Sequence, residues 1–471
     1  MRETFGIIIG NRSFFPDQLA KEGREEIITV LQEQNIGAVI LSPEETRHGC
    51  VESWKDAKKC AKFFKNHEEE IDGVIVSLPN FGEEKAIANT LRLANLNVPI
   101  LIHAYPDDIG RMGIERRRDA FCGKISLCNN LKQYGIKFTL TSYHTESPQS
   151  QIFLKDLSLF ARVCLVLKGL SGVRIGAIGA RPSNFNTVRY SEKILEASGI
   201  SVETVDLSDI LGQINKIQDN DPRVKNRVKE IYSYVICKDV PGESILKMAK
   251  LGLILSDWIK QNNLDAIAIQ CWTALQEYYG IVPCTIMSML SEAFIPSACE
   301  VDVSGALAMY ILQLASGKPS ALVDLNNNYG NNLDKAVLFH CSNFPKSFFL
   351  QTPRMDFQNI IAGTIGKKNT FGTCVGRIKP GPITFLRVST DDKNGRIRAY
   401  VGEGEITEDS LETFGGWGVV KIKNLQELMK YICKNGFEHH VAIIQSKVAK
   451  ILYEALHNYL GWDVYYHNKE K

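Results

Sequence analysis

Three polar residues each follow an apolar segment. A polar side chain at the end of a buried segment typically lies at the edge of the protein core. Glu300 ends a run of small and apolar residues, Asp324 follows the apolar start of ALVDLNNN, and His340 ends KAVLFH. A buried acid requires a partner charge or a metal ion, and a divalent cation relieves the repulsion between two carboxylates. The three residues therefore predict a metal site. Helix caps or paired acids for Glu300 and Asp324, and a hydrogen-bonded core position for His340, are the structural alternatives.

A pair of histidines, His439 and His440, opens the strand-like stretch at the end of FEHHVAII. Because side chains alternate along an ideal strand, only one of the two is expected to enter a given site. Carboxylates with one or two imidazoles suit Mn²⁺ best, with Mg²⁺, Co²⁺ or Fe²⁺ as alternatives. Cys299 and Cys341 adjoin candidate ligands, but the same alternation predicts that both point away and pack in the core.

Two loops after strand-like segments offer other possible ligand contacts. Arg12 in GNRSFFP could reach an anionic or hydroxyl-rich ligand, although a solvated loop arginine is the simpler interpretation. The stretch GAIGARP has the spacing G-x-x-G rather than G-x-G-x-x-G, which disfavours dinucleotide binding. The sequence also lacks the motif G-x-x-x-x-G-K-[ST], so a P-loop enzyme is not expected.

Alternating strands and helices must position these groups. The first third of the chain alternates apolar strands with helical segments, which predicts a doubly wound parallel sheet. A second α/β unit starts near Val173, includes a buried strand at 264–272, and ends with a helix at 303–316 before Gly317. Asp302 is expected to cap that helix. The segment 222–262 is expected to be helical.

The last third of the chain differs in composition from the rest. Residues 363–406 are rich in Gly, Thr, Val and Ile with frequent turn signals, and Asn394-Gly395 is a hairpin signal. The predicted fold class is α/β, with two doubly wound parallel-sheet domains followed by a domain that contains an antiparallel β-barrel. The predicted domains are residues 1–166, 167–317 and 318–471.

Composition excludes several classes of partner. A net charge of +2 over 471 residues gives no electrostatic case for nucleic acid or an anionic membrane. No uninterrupted apolar segment approaches the length of a membrane span, and the first residues do not resemble a signal peptide. The 12 cysteines form no C-x-x-C pair, which is typical of reduced thiols and predicts a cytoplasmic protein.

The chain resembles the L-fucose isomerase and L-arabinose isomerase superfamily of ketol isomerases. The resemblance spans most of the chain and is strongest at 265–345. It is carried by IQCWTALQEYYGIVPCTIMSMLSEAFIPSACEVDVSGAL (269–307), ALVDLNNN (321–328), FHCSNFP (339–345) and EHH (438–440), and FCGKISLCNNLKQYGI (121–136) is similar to the fucose-isomerase-like branch. The family fold likewise has two doubly wound domains and one with a β-barrel.

The resemblance implies a metal site, preferentially for Mn²⁺, that Glu300, Asp324, His340 and His440 form. Glu300 and Asp324 would also be the catalytic proton-transfer groups. The aspartate matches the fucose isomerase pattern and His340 matches the arabinose isomerase pattern, so the resemblance leaves the sugar open. The residues expected to contact the sugar are Arg12, Gln270, Trp417 and His439.

The expected activity is aldose–ketose isomerisation through a cis-ene-diol, with the cation as Lewis acid. An L-fucose-, D-arabinose- or L-arabinose-like sugar or a modified hexose is the expected substrate. A non-catalytic sugar-binding protein, an isomerase of a sulfonated sugar such as sulfoquinovose, and a metal-dependent hydrolase of a sugar derivative are the alternatives. The resemblance also implies a homo-oligomer, a trimer or hexamer, in which Arg12 acts in the site of a neighbouring subunit.

Overall fold

The computed structural model describes residues 3–469 and contains two compact units. The first unit comprises Met1–Lys168 with Glu454–Gly461, and the second comprises Gly169–Tyr453 with Trp462–Lys471. A short segment near the end of the chain thus belongs to the first unit. The three domains expected from the sequence, divided near residues 166 and 317, stay a prediction.

The first unit contains a six-stranded parallel sheet in the order β2-β1-β4-β5-β6, with β3 paired to β1. Apolar side chains cover both faces, since Ile8 and Val76 lie in one core cluster and Ile7 and Ile75 in the other. Burial on both faces is the property expected of a parallel sheet with helices on each side. The elements are β1 (Thr4–Gly10), α1 (Asp17–Glu33), β2 (Gly37–Ile40), β3 (Cys50–Val51), α2 (Trp54–Asn66), β4 (Gly73–Leu78), α3 (Glu84–Ala94), β5 (Ile100–Ala104), α4 (Ala120–Gln133), β6 (Thr139–Leu140) and α5 (Gln151–Leu170).

The second unit begins with a four-stranded parallel sheet in the order β10-β9-β7-β8. The helical segment expected at 222–262 is two helices rather than one, and Pro241 precedes the second. The elements are β7 (Arg174–Ile178), α6 (Glu192–Glu196), β8 (Ser201–Val205), α7 (Leu207–Lys216), α8 (Pro222–Tyr234), α9 (Gly242–Gln261), β9 (Ala266–Ile269), α10 (Cys284–Glu292), β10 (Ser297–Ala298) and α11 (Val303–Ser316).

The rest of the second unit is built on a mixed nine-stranded sheet in the order β13-β14-β17-β12-β11-β18-β15-β16-β19. Most pairings are antiparallel, but β14–β17 and β16–β19 are parallel, and β16 also pairs with β17. The strand-rich last third expected from the sequence is therefore confirmed as a large mixed sheet, and its description as an antiparallel barrel stays a prediction. The elements are β11 (Ala321–Asn328), β12 (Lys335–His340), β13 (Arg354–Phe357), α12 (Asn359–Ile365), β14 (Phe371–Arg377), β15 (Gly381–Asp391), β16 (Arg396–Ile406), β17 (Gly416–Lys421), α13 (Leu425–Lys434), β18 (His440–Ile444), α14 (Ala449–Tyr453) and β19 (Asp463–Tyr466).

Local signals account for the ends of several of these elements. The carboxylate of Asp302 accepts a hydrogen bond of 2.8 Å from the Gly305 amide, so it caps α11 as expected. The same helix ends at Gly317, whose φ of 68° is left-handed. The Asn394-Gly395 signal lies in the turn that joins β15 to β16.

Within residues 3–469, every helix is too short or too polar to span a bilayer. The cytoplasmic location expected from the cysteine pattern stays a prediction.

A buried histidine is expected to make the first unit acid-sensitive. The Nε2 of His103 donates to the Glu146 carbonyl at 2.8 Å, and the Ser77 hydroxyl lies 3.0 Å from Nδ1. Burial lowers the pKa of His103 to about 4. Because this pKa lies below the unfolded value of about 6.5, the stabilisation is complete above that pH and is lost as the pH falls toward 4, by about 1.4 kcal/mol per unit.

The measurement is the free energy of urea unfolding of the wild-type chain and of His103→Gln at about pH 7.5 and about pH 5. Glutamine keeps one donor and one acceptor but does not titrate, so the variant is expected to lose less stability on acidification. If the two proteins lost the same free energy of unfolding, His103 would bind protons equally in the folded and unfolded states, and the prediction would be wrong.

Candidate active site

Strand pairing brings three of the expected ligands together. Asp324 lies in the fourth position of β11, where its direct partners are Phe339 of β12 and His440, the first residue of β18. His340, the last residue of β12, follows Phe339. Glu300 lies in the short connection that follows β10 of the parallel sheet and leads into α11. The ends of two sheets of the second unit thus converge on one site.

The side chains of these residues surround the ring of His440. Its Nε2 lies 3.4 Å from Asp324 Oδ1 and 3.7 Å from Glu300 Oε2. One nitrogen or oxygen from each of Glu300, His340 and His440 lies within 4.8 Å of the others, and the same holds for Asp324, His439 and His440. The residue types and this spacing are those of a site for a divalent cation.

Two carboxylate oxygens in this group are buried without a hydrogen-bond donor among the described residues. They are Glu300 Oε2 and Asp324 Oδ1, the two atoms that face His440 Nε2. An unpartnered buried carboxylate oxygen is costly, and a cation between the two would satisfy both. The donor set of two oxygens and one or two imidazole nitrogens therefore fits Mn²⁺ or a similar ion.

The other oxygen of Glu300 is held in place. The Nε1 of Trp272 donates to Glu300 Oε1 at 2.9 Å, and the Cys271 thiol lies 3.5 Å from the same oxygen. Burial raises the pKa of Glu300, although the neighbouring His440 and His340 oppose this shift. The hydrogen bond from Trp272 leaves Oε2 as the oxygen that faces the cavity.

A buried charge network orients His440. Asp302 Oδ2 lies 2.9 Å from His440 Nδ1, and both oxygens of Asp302 accept hydrogen bonds from the guanidinium of Arg387, at 2.6 and 3.1 Å. Arg387 also donates to Glu438 at 3.1 Å. Burial opposes ionisation of Asp302, but Arg387 and His440 hold its pKa well below the usual range. A carboxylate behind a ligand histidine fixes the ring and leaves Nε2 free to bind the ion.

The backbone at Glu300 is in an uncommon conformation. Glu300 and Val301 both have positive φ, of 55° and 57°. A β-branched residue in the left-handed region costs of order 1–3 kcal/mol. Strained conformations of this kind persist where the surrounding structure holds a functional group in place. Here the Glu300 side chain faces His440.

A cavity of about 290 Å³ opens onto these residues. Five of its lining residues are aromatic or aliphatic and supply an apolar wall beside the polar cluster. The lining consists of Phe185, Trp272, Phe339, Cys341, Gln358, Ile360 and Ile361 together with Glu300, Asp324, His340, His439 and His440. Such a cavity suits the carbon face of a small ligand whose polar atoms reach the ligand cluster. Sequence reasoning missed both Trp272 and Phe185. Trp272 could have been found from its position three residues after the end of β9, whereas Phe185 lies in a loop without a recognisable motif.

The expected sugar contacts lie in several places. His439 lines the cavity, and its Nε2 is 3.6 Å from Asp324 Oδ1. Gln270 lies outside the lining and accepts a hydrogen bond from the Ala180 amide at 2.9 Å. Trp417 is also outside it and stacks near the Arg377 guanidinium. Arg12 lies in the first unit, where it pairs with Glu84. The assignment of these residues to the sugar stays a prediction.

Two expectations based on strand alternation were wrong. His439 and His440 both reach the site, because β18 begins only at His440 and the preceding residue is not bound by strand geometry. Cys341 contacts the buried Cys284 and Cys299, but it also lines the cavity, so the expectation that it points away from the site was wrong. Alternation fails at both positions because it applies only within a regular strand.

Two family models match the chain. One, described as the fucose/sulfoquinovose isomerase N-terminal domain, matches residues 6–171, and the other, the L-fucose isomerase C-terminal domain, matches residues 338–468. A sulfoquinovose isomerase of Alkalicoccus urumqiensis is 28% identical over 315 residues, which is 65% of this chain and 68% of that protein. A sulfoquinovose isomerase of Priestia aryabhattai is 24% identical over 393 residues, 82% of this chain and 83% of that protein.

A solved solute-binding protein of an R. palustris ABC transporter, in complex with 4-hydroxybenzoate, aligns with 57% of this chain and 62% of its own. Its identity of 13% and TM-score of 0.18 are too low to support any inference. The two family models, by contrast, together match more than half of the 471 residues. The chain therefore belongs to the fucose and sulfoquinovose isomerase family, whose enzymes interconvert aldoses and ketoses.

Proposed function

We propose that this chain is a metal-dependent isomerase of a sulfonated hexose such as sulfoquinovose. The observation that carries the metal site is the pair of unpartnered buried oxygens, Glu300 Oε2 and Asp324 Oδ1, that face one imidazole nitrogen of His440. Glu300, Asp324 and His440 would hold Mn²⁺, with His340 as a further ligand. The sulfonated substrate is inferred from the relatives, which are sulfoquinovose isomerases.

The chemistry follows from the positions of the two carboxylates. When bound, a divalent cation would supply Lewis-acid polarisation of the sugar oxygens. One carboxylate removes the proton from the carbon beside the carbonyl, which gives the ene-diol. The other carboxylate returns a proton when the ene-diol is converted to the product. Trp272 keeps Glu300 Oε2 directed at the cavity by holding Oε1, and His440 is kept in position by Asp302.

The sulfonate group requires a cation that the cavity itself does not offer. Among the described residues, neither lysine nor arginine lines it. We therefore assign sulfonate binding to a second subunit of a homo-oligomer, for which Arg12 is the candidate. The same lack of a cation favours a second substrate class, a neutral 6-deoxy sugar such as L-fucose, whose methyl group would suit the apolar wall formed by Phe339 and Ile361.

A substrate panel tests both candidates. Metal-stripped full-length protein is assayed with sulfoquinovose, L-fucose, D-arabinose and L-arabinose, with and without Mn²⁺. We expect sulfoquinovose to be converted to its ketose only when Mn²⁺ is present, with incorporation of solvent deuterium at C1 of the ketose. Preferred turnover of L-fucose would establish the second candidate. Tight sugar binding without turnover with any divalent metal would identify a receptor, and hydrolysis without deuterium incorporation would identify a hydrolase.

The carboxylate behind His440 is expected to control metal affinity. In Asp302→Asn the amide oxygen can still cap α11, but the charge that fixes the His440 ring is lost. Loss of such a partner typically lowers metal affinity about 10–100-fold. Mn²⁺ titration followed by electron paramagnetic resonance measures the change. Asp356→Asn is the matched control, because Asp356 pairs with Arg354 at the surface of the same unit. Unchanged Mn²⁺ affinity in folded Asp302→Asn would contradict the assignment.

A further inference from the structure

A cluster of four cysteines lies beside the proposed metal ligands. Its members are far apart in the sequence but meet in the second unit, since Cys271, Cys299 and Cys341 each follow the end of a strand and Cys284 begins α10. Cys284 interacts with both Cys299 and Cys341, and Cys271 interacts with Cys299. Buried cysteines commonly serve as small apolar residues, so the cluster needs a more specific feature to be a site.

That feature is an imidazole directed at the thiols. The Sγ of Cys341 lies 3.3 Å from His340 Nδ1. One ligand atom from each of Cys299, His340 and Cys341 lies within 4.8 Å of the others. Two sulfurs and one imidazole nitrogen are a soft-to-borderline donor set that favours Zn²⁺, Cd²⁺ or Cu⁺ over Mn²⁺.

The spacing is close to that of a bound ion. With metal–sulfur bonds of about 2.3 Å and metal–nitrogen bonds of about 2.0–2.1 Å, tetrahedral ligand atoms lie roughly 3.5–3.8 Å apart. The distances between the three atoms, at most 4.8 Å, therefore need to shorten by no more than about 1.3 Å to reach this range. Access is also available, because His340 and Cys341 line the cavity while Cys299 lies behind them, fully buried.

We propose that Cys299, His340 and Cys341 form a second site, for a thiophilic cation such as Zn²⁺ or Cd²⁺. His340 also belongs to the group with Glu300 and His440, so the two sites share one ligand. A thiophilic ion that takes His340 removes it from the Mn²⁺ site and thereby inhibits the enzyme. Binding exchanges the two thiol protons for two metal–sulfur bonds and releases both protons to solvent.

Cadmium binding to the metal-stripped full-length chain tests this site without any turnover, so its outcome is independent of the proposed reaction. The exposed thiols of Cys122 and Cys433 are first replaced by serine to remove surface binding. We expect one Cd²⁺ per chain, with an ultraviolet cadmium–thiolate band and release of two protons. In Cys299→Ser and in Cys341→Ser, Cd²⁺ affinity should fall by at least about 100-fold. This loss is larger than the loss expected from replacing a residue that only hydrogen-bonds to a metal ligand.

Two controls separate the sites. Asp324→Asn, which removes a ligand only from the Mn²⁺ site, should keep the cadmium–thiolate band. Cys164→Ser, which replaces a buried thiol of the first unit, should behave as the parent protein. X-ray absorption of Cd²⁺ bound to the unmutated chain reports its neighbours even if a variant does not fold. A shell with only oxygen and nitrogen, or a band that persists in both Cys299→Ser and Cys341→Ser, would overturn the proposal.

Discussion

Replacement of Glu300 by glutamine is expected to lower kcat for aldose–ketose interconversion by at least about 10³-fold, within the range of general acid–base catalysis. Glutamine fits the same space and can still accept the hydrogen bond from Trp272 Nε1. It lacks the negative charge that the cation needs, and its amide nitrogen would face His440 Nε2 instead of an oxygen. Steady-state kinetics on the substrate found in the panel, at saturating Mn²⁺, measure the effect.

The control for this variant is Glu292→Gln, which makes the same chemical change elsewhere in the second unit. Glu292 accepts a hydrogen bond from the Ser347 amide at 2.8 Å and does not line the cavity. Its kcat should remain close to that of the parent. Glu300→Gln should also unfold at a temperature at or above the parent value, because it removes a buried unpaired oxygen. A folded Glu300→Gln enzyme with near-normal kcat would exclude Glu300 from proton transfer.

Replacement of Arg387 by methionine is expected to destabilise the second unit by about 3–5 kcal/mol, the usual cost of removing one partner from a buried ionic network. Arg387 is fully buried and is the cation for two carboxylates, those of Asp302 and Glu438. Without it, both acids remain buried with no opposite charge from an arginine. The free energy of urea unfolding of the second unit measures the loss.

A compensating variant distinguishes charge from packing. Arg387→Met combined with Asp302→Asn and Glu438→Gln removes all three charges, and most of the lost stability should return. Arg354→Met, which removes an exposed arginine paired with the half-buried Asp356, should change stability little. If the triple variant were as unstable as Arg387→Met, the arginine would stabilise the fold through packing of its side chain and not through its charge.

Three of the proposed metal ligands could be identified from the sequence. Glu300, Asp324 and His340 each follow an apolar run, and Glu300 and His340 lie at or just beyond a strand end. The expectation that Asp324 also ends a strand was wrong, because β11 continues from Asp324 to Asn328. The local pattern of apolar and polar residues selected these three residues, but their convergence from two sheets is tertiary and was expected from the family resemblance. Their role as ligands stays a prediction.

The buried residues that hold these ligands in position could not be identified from the sequence in the same way. Asp302 was recognised as the cap of α11, but its second contact, with Arg387, joins residues 85 positions apart. The one available signal was a charged side chain in the middle of the apolar strand GPITFLRVST. Turn spacing likewise predicted strands in the last third of the chain, but the parallel pairings of β14 with β17 and of β16 with β19 depend on tertiary packing.

The segment Glu454–Gly461 has a consequence for the order in which the protein is made. The hydroxyl of Tyr459 accepts a hydrogen bond from the Ile100 amide and donates to the Ile100 carbonyl, while Glu454 accepts from the Thr139 hydroxyl. The ribosome makes these partners more than 300 residues after the strands they bind. During synthesis the starts of β5 and β6 therefore lack these hydrogen-bond partners until residues 454–461 have emerged. The first unit is not an independently completed domain of the nascent chain.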